Sequence, residues 1–520
     1  MNPRNTALNP PLLPRDVPVP PGWALEKVIR MSYNQFSIHF PLFGQSASGS
    51  GTRGTDRTVR NTMNRISTII HRSFLVLILI IAALPLAAGD LETEIDAIAK
   101  GAIDSGMAPG LSIAVARAGE VIHAAGYGLA DIENDVTVNA GTNFRIASIT
   151  KCFTAAAIMQ LVEAEKIELS DAITKYIPDY NTHGHSITVQ QLLNHTAGIP
   201  NYTEIEAKDR TAWRRHRNHE EMRTVFEDKE LDFEPGMSWH YSNSGYYLLG
   251  MIIEKVSGVS YQEYLDAHLI APAGLSNTQY GGQRPLIDKR CRGYRRTETG
   301  WVNADPISMT TPFSAGAVRS TATDLVTWHR ALTDGTLLTS EAYRDMVTVV
   351  PFPKGLGAHS YANGFYHGKL DGHHKITHPG GIEGFSTQLS YYPDEDLTIA
   401  VLINRQDVLC APIEHQVARA VLGLPQPEPK DLPLTAQEID GMIGSYFLGS
   451  MGIHLTEKDG KLQLAIDGFI PPMDLLYQGN SELWLALDPD TRISIEGAGS
   501  PAAQARLMFM DMEMIGVRQE

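Results

Sequence analysis

The chain has 520 residues and only three cysteines, Cys152, Cys291 and Cys410. They lie far apart, which excludes both a disulfide framework and a zinc site built on paired cysteines. Cys152 reads instead as a small buried hydrophobe. Positive charge is scarce as well. Forty-three Lys+Arg face 59 Asp+Glu, a net charge of −16, and so acidic a body excludes nucleic acid as a partner. No apolar run reaches the roughly 20 residues of a membrane-spanning helix; the run Phe74–Leu84 falls well short. What is there is ordinary globular composition, 43% hydrophobic, with room for two to four domains.

The charge is unevenly spread: Met1 to Gly89 carries +6 and Asp90 to Glu520 carries −22. Residues 1–62 are rich in Pro, Asn, Ser, Gly and Arg and read as a disordered extension, or as a mis-assigned start ahead of Met63. "GSGTRG", Gly49 to Gly54, matches G-x-G-x-x-G, but no strand precedes it and no helix follows, so it is a linker. Residues 63–89 have a basic start (Arg65, Arg72), the apolar run and a small-residue end near Ala88 and Gly89. That is the anatomy of a secretory signal peptide. The expected location is periplasmic or secreted, with no stable membrane span once the signal is cleaved. The alternative is a chain anchored to the membrane by an uncleaved signal.

Residues 90–424 alternate strand and helix patterns. Leu91 to Ile103 has a helical pattern. Gly110 to Asp131 follows as a hairpin turning at Ala118-Gly119. "FRIASITKCFTAAAIMQLVEA", Phe144 to Ala164, reads as one buried helix. Val189–Leu193, Tyr246–Val256 and Ala322–Leu332 read as further helices, and Thr387 to Asn404 as two strands around a Pro-Asp-Glu-Asp turn. Strands at both ends with helices between predict an α+β fold: an antiparallel sheet flanked by helices, with an inserted helical subdomain. Residues 425–434 form a Pro-rich linker. Residues 435–520 alternate in period two and read as a small, barrel-like all-β domain, its prolines Pro471, Pro472, Pro489 and Pro501 falling in the turns.

One residue does not belong in the apolar helix. Lys151 is the single charge between Arg145 and Glu163, one turn after Ser148. An isolated ammonium in apolar surroundings costs several kcal/mol, and a lowered pKa relieves it. A neutral lysine is a base, and a serine hydroxyl needs one to become a nucleophile. The plainer reading makes Ser148 an N-cap and Lys151 a residue snorkelling to water. Tyr241-Ser242-Asn243 precedes a helix. Its phenol can relay protons, and its amide can orient both the lysine and a substrate carbonyl. Tyr361-Ala362-Asn363 matches the same pattern. "HPGGIEGF" places His378, Gly380 and Gly381 just before a strand, where the glycines permit close approach to a ligand. His367, His373 and His374 lack metal-ligand spacing, so no metal is expected.

The order S-x-x-K, Y-x-N, H-x-G, spaced by 93 and 137 residues, resembles the β-lactamase-related serine hydrolases: class C β-lactamases, DD-carboxypeptidases, D-aminopeptidases and esterases. "LLNHTAGIPNY", "AGAVRSTATDLVTW" and "GIEGFSTQLSYYPDEDLTIAVLIN" also resemble that superfamily, which covers about Leu91 to Gly423. The tail resembles the small β-barrel appended to some of its members. The resemblance implies that Ser148 is acylated and that Lys151 and Tyr241 share the proton transfers. It implies that Asn243 positions lysine and substrate, and that the backbone N–H groups of Ser148 and Gly381 form an oxyanion hole. His378 and Gly380 are implied in substrate binding, and no cofactor is implied. Where the lactamases read Lys-Thr-Gly, this chain reads His378-Pro379-Gly380. A fixed cation is replaced by a mostly neutral imidazole. That lowers the expectation of β-lactamase activity and raises that of ester, amide or D-peptide hydrolysis on a small-molecule or peptide substrate. The alternatives are a penicillin-recognising fold kept as a binding or scaffold protein, and a β-lactamase or DD-carboxypeptidase.

Overall fold

The computed structural model describes residues 91–352, 360–448, 451–467, 470–486, 488–500, 503–509 and 512–519. All of them lie in one compact unit, Ala82–Glu520. The extension, the G-x-G-x-x-G match and the signal-like segment lie outside the described residues. No helix among the described residues is long and apolar enough to cross a membrane.

A seven-stranded antiparallel sheet forms the base of the site. Its strands are β1 (Gly110–Arg117), β2 (Glu120–Asp131), β3 (Val136–Thr137), β4 (Tyr366–Leu370), β5 (His373–Ile382), β6 (Phe385–Tyr392) and β7 (Leu397–Ile403), in the order β3-β2-β1-β7-β6-β5-β4. The β1–β2 hairpin turns at Ala118 and Gly119, both with positive φ (50° and 79°), the backbone that a two-residue hairpin loop requires. The β6–β7 hairpin turns through Pro393–Glu395. Strands from the two ends of the region meet at the sheet's centre, where Leu111 pairs with Ile403 and Arg117 with Leu397.

Both faces of the sheet are covered. Leu111, Ile113, Val115, Ile399 and Val401 pack on one side against helix α1 (residues 91–104) and a helix at the other end of the region, Ala411–Leu422. Ala114, Ala116, Ala400 and Leu402 face the opposite side, with α2 (Thr150–Glu163), α3 (Asn243–Ser257) and α4 (Ala322–Thr333). With Ala411–Leu422 as α5, the sheet is a layer between two helical layers, one of them carrying the inserted subdomain. Small alanines on the second face let α4 approach closely. Phe153 of α2 stacks on Trp328 of α4 at 4.2 Å.

Two sequence expectations need correction. Phe144 to Ala164 is not one helix. Phe144–Arg145 is a short strand paired with Arg319 and Ser320, Ala147–Ile149 is a 3₁₀ turn, and α2 begins at Thr150. Ala147 has φ +50°, a left-handed backbone that ends any continuous helix there.

The second concerns the C-terminal strands. Eight of them, from Gly444–Leu448 to Met512–Gln519, close into a barrel after a short helix, Ala436–Met442. Pro471 and Pro472 lie within the strand Ile470–Gly479, and Pro489 within Asp488–Glu496. The ladder is irregular at both places, between Leu464 and Ile466 and between Trp484 and Leu485. At such bulges a missing N–H costs no ladder bond. Pro501 lies outside the described residues. The barrel docks on α5, where Arg419 forks both oxygens of Asp490 at 2.6 and 2.8 Å and His415 Nδ1 lies 3.0 Å from the same carboxylate.

Candidate active site

Three elements converge behind the sheet's second face. The 3₁₀ turn and the first turn of α2 carry Ser148 and Lys151. The entry to α3 carries Tyr241 and Asn243, with Ser242 capping the helix by accepting from Gly245 N–H. The end of β5 carries His378 to Gly381. β4 pairs only with His373–Thr377, so the last residues of β5 keep one edge free of the sheet and lie against Ile146 and Ala147.

Lys151 is wholly buried. Its Nζ lies 3.2 Å from Ser148 Oγ, 2.7 Å from Asn243 Oδ1 and 2.9 Å from the Ala315 carbonyl. Burial pushes its pKa well below the ordinary lysine range, as low dielectric disfavours the charged form. The rings of Tyr241 and Tyr246 flank the nitrogen at 4.7 and 5.5 Å. Tyr241 hydrogen-bonds Ser148; burial nonetheless lifts its phenol above the usual range, so Tyr241 is protonated at neutral pH. Ser148 itself is only half-buried and reachable from solvent.

The carbonyl partners decide what Lys151 can do. A neutral amine has two N–H bonds and one lone pair. Asn243 Oδ1 and Ala315 O are acceptors only, so they take both N–H bonds. The lone pair is left toward Ser148 Oγ, which can donate. This is the arrangement of a general base on a nucleophile, within the reach such catalysis needs.

The sequence profile of the Beta-lactamase family matches residues 95–421. The chain belongs to the beta-lactamase family. Within the family it is 29% identical to Protein flp of Staphylococcus aureus over 324 residues, 61% of this chain and 63% of that protein. It therefore spans less than two thirds of the length of that curated relative. The octameric penicillin-binding protein homologue from Pyrococcus abyssi superposes with a TM-score of 0.59 and 25% identity, over 83% of this chain and 98% of that one. D-amino acid amidase from Ochrobactrum anthropi does so with a TM-score of 0.58 and 25% identity, over 64% and 99%.

The rest of this beta-lactamase-family site departs from the sequence reading in several details. His378 is 1% exposed. Its Nδ1 lies 2.6 Å from the Pro379 carbonyl and its Nε2 3.0 Å from Tyr361 Oη. A carbonyl cannot donate, so Nδ1 carries the proton and Nε2 accepts from Tyr361. Burial lowers its pKa to about 3. The imidazole is thus a neutral wall of the site, among Tyr241, Tyr361 and Tyr366, with neither nitrogen left for a substrate.

Gly380 is required by the chain's own packing: a Cβ there would lie 2.4 Å from the Ile146 carbonyl and 2.2 Å from Thr387 Oγ1. Gly381 is exposed, and a Cβ there would meet nothing within 4 Å. The space before it is open to a ligand. The second Tyr-x-Asn is separated from the first by its amide, since Asn363 Oδ1 accepts from Gln190 Nε2 rather than from a lysine.

Sequence reasoning missed Ala315 and Asn201. The first acts through its backbone and has no side-chain signature. Asn201, in "HTAGIPNY", signals only a helix N-cap. His367 and His374 face each other at 3.0 Å. Among the described residues His415, Asp488 and Asp490 form one compact group of metal-ligand type. There Arg419 forks Asp490, and Lys375 Nζ lies 2.9 Å from His415 Nε2. Arg419 and His415 Nδ1 already take the oxygens of Asp490, and Thr491 donates to Asp488, so these contacts tie α5 to the barrel.

Proposed function

We propose that the chain is a serine hydrolase that cleaves an amide, ester or peptide bond, D-amino-acid derivatives foremost, through an acyl-enzyme on Ser148. The observation that carries this is the pair of carbonyl oxygens on Lys151, which leaves a neutral amine's lone pair for Ser148. In acylation, Ser148 Oγ bonds the substrate carbonyl carbon while its proton passes to Lys151 Nζ. The carbonyl oxygen takes negative charge facing the N–H groups of Ser148 and Gly381. Each such donor contributes about 3–4 kcal/mol in other enzymes. Collapse expels the amine or alcohol, which takes a proton from Tyr241; Tyr241 recovers one from the Lys151 ammonium. Water then repeats the sequence on the acyl-enzyme and frees Ser148.

Asn243 holds lysine and substrate. Gly380 lets β5 close on Ile146, and His378 is an uncharged wall. The loss of a cation at His378 disfavours substrates recognised by a carboxylate at that point, such as penicillins. The likeness to a D-amino acid amidase points the same way. Residues 63–89, read as a signal peptide, place the reaction in the periplasm or outside the cell; N-terminal sequencing of the mature chain tests that. The functional test is a panel: D- and L-phenylalanine amide, a p-nitrophenyl ester and a chromogenic cephalosporin. Turnover of ester or D-amide above the cephalosporin is the expected result. Faster cephalosporin hydrolysis overturns the substrate assignment, and no turnover of any, in folded protein, favours a binding role.

A further inference from the structure

Asn201 is not among the three catalytic motifs, yet its Oδ1 accepts from four groups around the site. Its Oδ1 lies 3.3 Å from the backbone N of Thr203 and 3.2 Å from the backbone N of Asn243. Backbone N–H groups only donate, so that atom is the oxygen and the amide cannot be turned over. Thr203 Oγ1 donates to the same oxygen at 2.9 Å. The Nδ2 of Asn201 is tied to Glu204 Oε1 at 3.0 Å, and the residue is 5% exposed. Asn201 is therefore locked from both ends.

The lock passes on to Asn243. Its Nδ2 donates to Asn201 Oδ1 and to Thr203 Oγ1, both at 3.2 Å. Both amide hydrogens are then used, and only Oδ1 is left to face Lys151, at 2.7 Å. Were Asn243 to turn over, its NH₂ would point at Nζ and donate into the lone pair that the reaction needs. Its oxygen would meet the Asn201 oxygen, acceptor against acceptor.

We propose that Asn201 is a positioning residue: it fixes the amide of Asn243 and, through it, aims the lone pair of Lys151 at Ser148. The proposal rests on the reading of Ser148 and Lys151 as nucleophile and base. It predicts a defect in rate rather than in binding, because Asn201 acts through Asn243.

The test compares the full chain with Asn201→Leu and Asn201→Asp, by fluorophosphonate labelling over a concentration series and by p-nitrophenyl ester hydrolysis. Leucine removes the acceptor; aspartate keeps an oxygen toward Asn243 and both backbone N–H groups. The expected result for Asn201→Leu is a fall of roughly 30–100-fold in the saturating labelling rate, part of the ~10²–10⁴ that a positioned base supplies. Half-saturation should move less than about two-fold, as for interactions made only in the transition state. Asn201→Asp, made together with Glu204→Gln so that its second oxygen accepts from an amide instead of facing the Glu204 carboxylate, should return to within about five-fold of the parent, since a carboxylate accepts all the N–H groups that the amide oxygen does.

A folded Asn201→Leu that labels at the parental rate overturns the proposal, and so does a double variant as slow as Asn201→Leu. Should Asn201→Leu fail to fold, Thr203→Val takes its place: a several-fold loss with the double variant near parental supports the assignment, and no loss overturns it. A parent that does not label overturns the nucleophile–base reading itself, an outcome distinct from a parent that labels and a variant that does so equally fast.

Discussion

Replacing Lys151 with methionine should change the pH dependence of stability as well as activity. Burial lowers the folded-state pKa of Lys151 well below its ordinary value of 10.5. Between those two pKa values the native lysine is neutral and the unfolded one is charged, so folding releases a proton. Stability then rises with pH, by about 1.4 kcal/mol per unit for one proton. The gain saturates above the unfolded pKa. From pH 7 to pH 9 the parent should gain up to about 2.7 kcal/mol that Lys151→Met does not. The variant also leaves Asn243 Oδ1 and Ala315 O without their lysine donor, at about 1–3 kcal/mol each. That loss is the same at both pH values and drops out of the comparison. Urea unfolding of both chains at pH 7 and pH 9 reads the difference, and labelling at Ser148 should fall by about 10²–10⁴ in the variant. Parallel stability curves would mean that Lys151 is charged in the native state at pH 7. An ammonium cannot accept the Ser148 proton, so the mechanism would be refuted.

Gly380→Ala should misfold the site, because its Cβ collides with Ile146 O and Thr387 Oγ1; a fall in unfolding midpoint with loss of labelling checks it. Gly381→Ala should fold at the parental midpoint and lose turnover, since its methyl enters open, ligand-facing space. His378, held neutral down to about 3 by burial, takes its proton in the unfolded state first as pH falls. The parent should therefore lose up to about 2.7 kcal/mol between pH 6.5 and 4.5 that His378→Gln does not, read by urea unfolding at the two pH values. Asp490→Asn removes one of the two carboxylates on buried Arg419 and leaves Asp371 on its Nε, so it should cost about 1–3 kcal/mol. Limited proteolysis should then cut the exposed stretch 425–434 faster while Ser148 labelling persists.

The parts of the fold that the sequence made legible are those set by neighbours in the chain. Ala118-Gly119 and Asp459-Gly460 turn hairpins because the turn chemistry is local. β7 shows as an apolar run because both of its faces are covered. The capping box of Thr435 and Glu438 is equally local, but the period-two alternation that follows it dominates the pattern of the segment. What the sequence concealed is set by pairing at long range. Phe144 and Arg145 are extended because Ser320 and Arg319 lie beside them. Pro471 and Pro472 fit a strand only because the ladder bulges around them. The site divides in the same way. Ser148, Lys151, Tyr241 and Asn243 were readable as residue types whose chemistry needs one another, and they lie together. His378 was read as a group for substrate, but burial beside Tyr361 makes it a wall. Asn201 and the Ala315 carbonyl act only through geometry, which no spacing of letters reports.

The measurement that bears most directly on the central claim is the intact mass of the chain from Asp90 after exposure to a fluorophosphonate, with Ser148→Ala alongside. A single adduct on the parent and none on the variant is the predicted result, and peptide mapping should place it on Ser148. No adduct on either folded protein, or an equal adduct on both, would contradict the assignment of Ser148 as a nucleophile activated by Lys151.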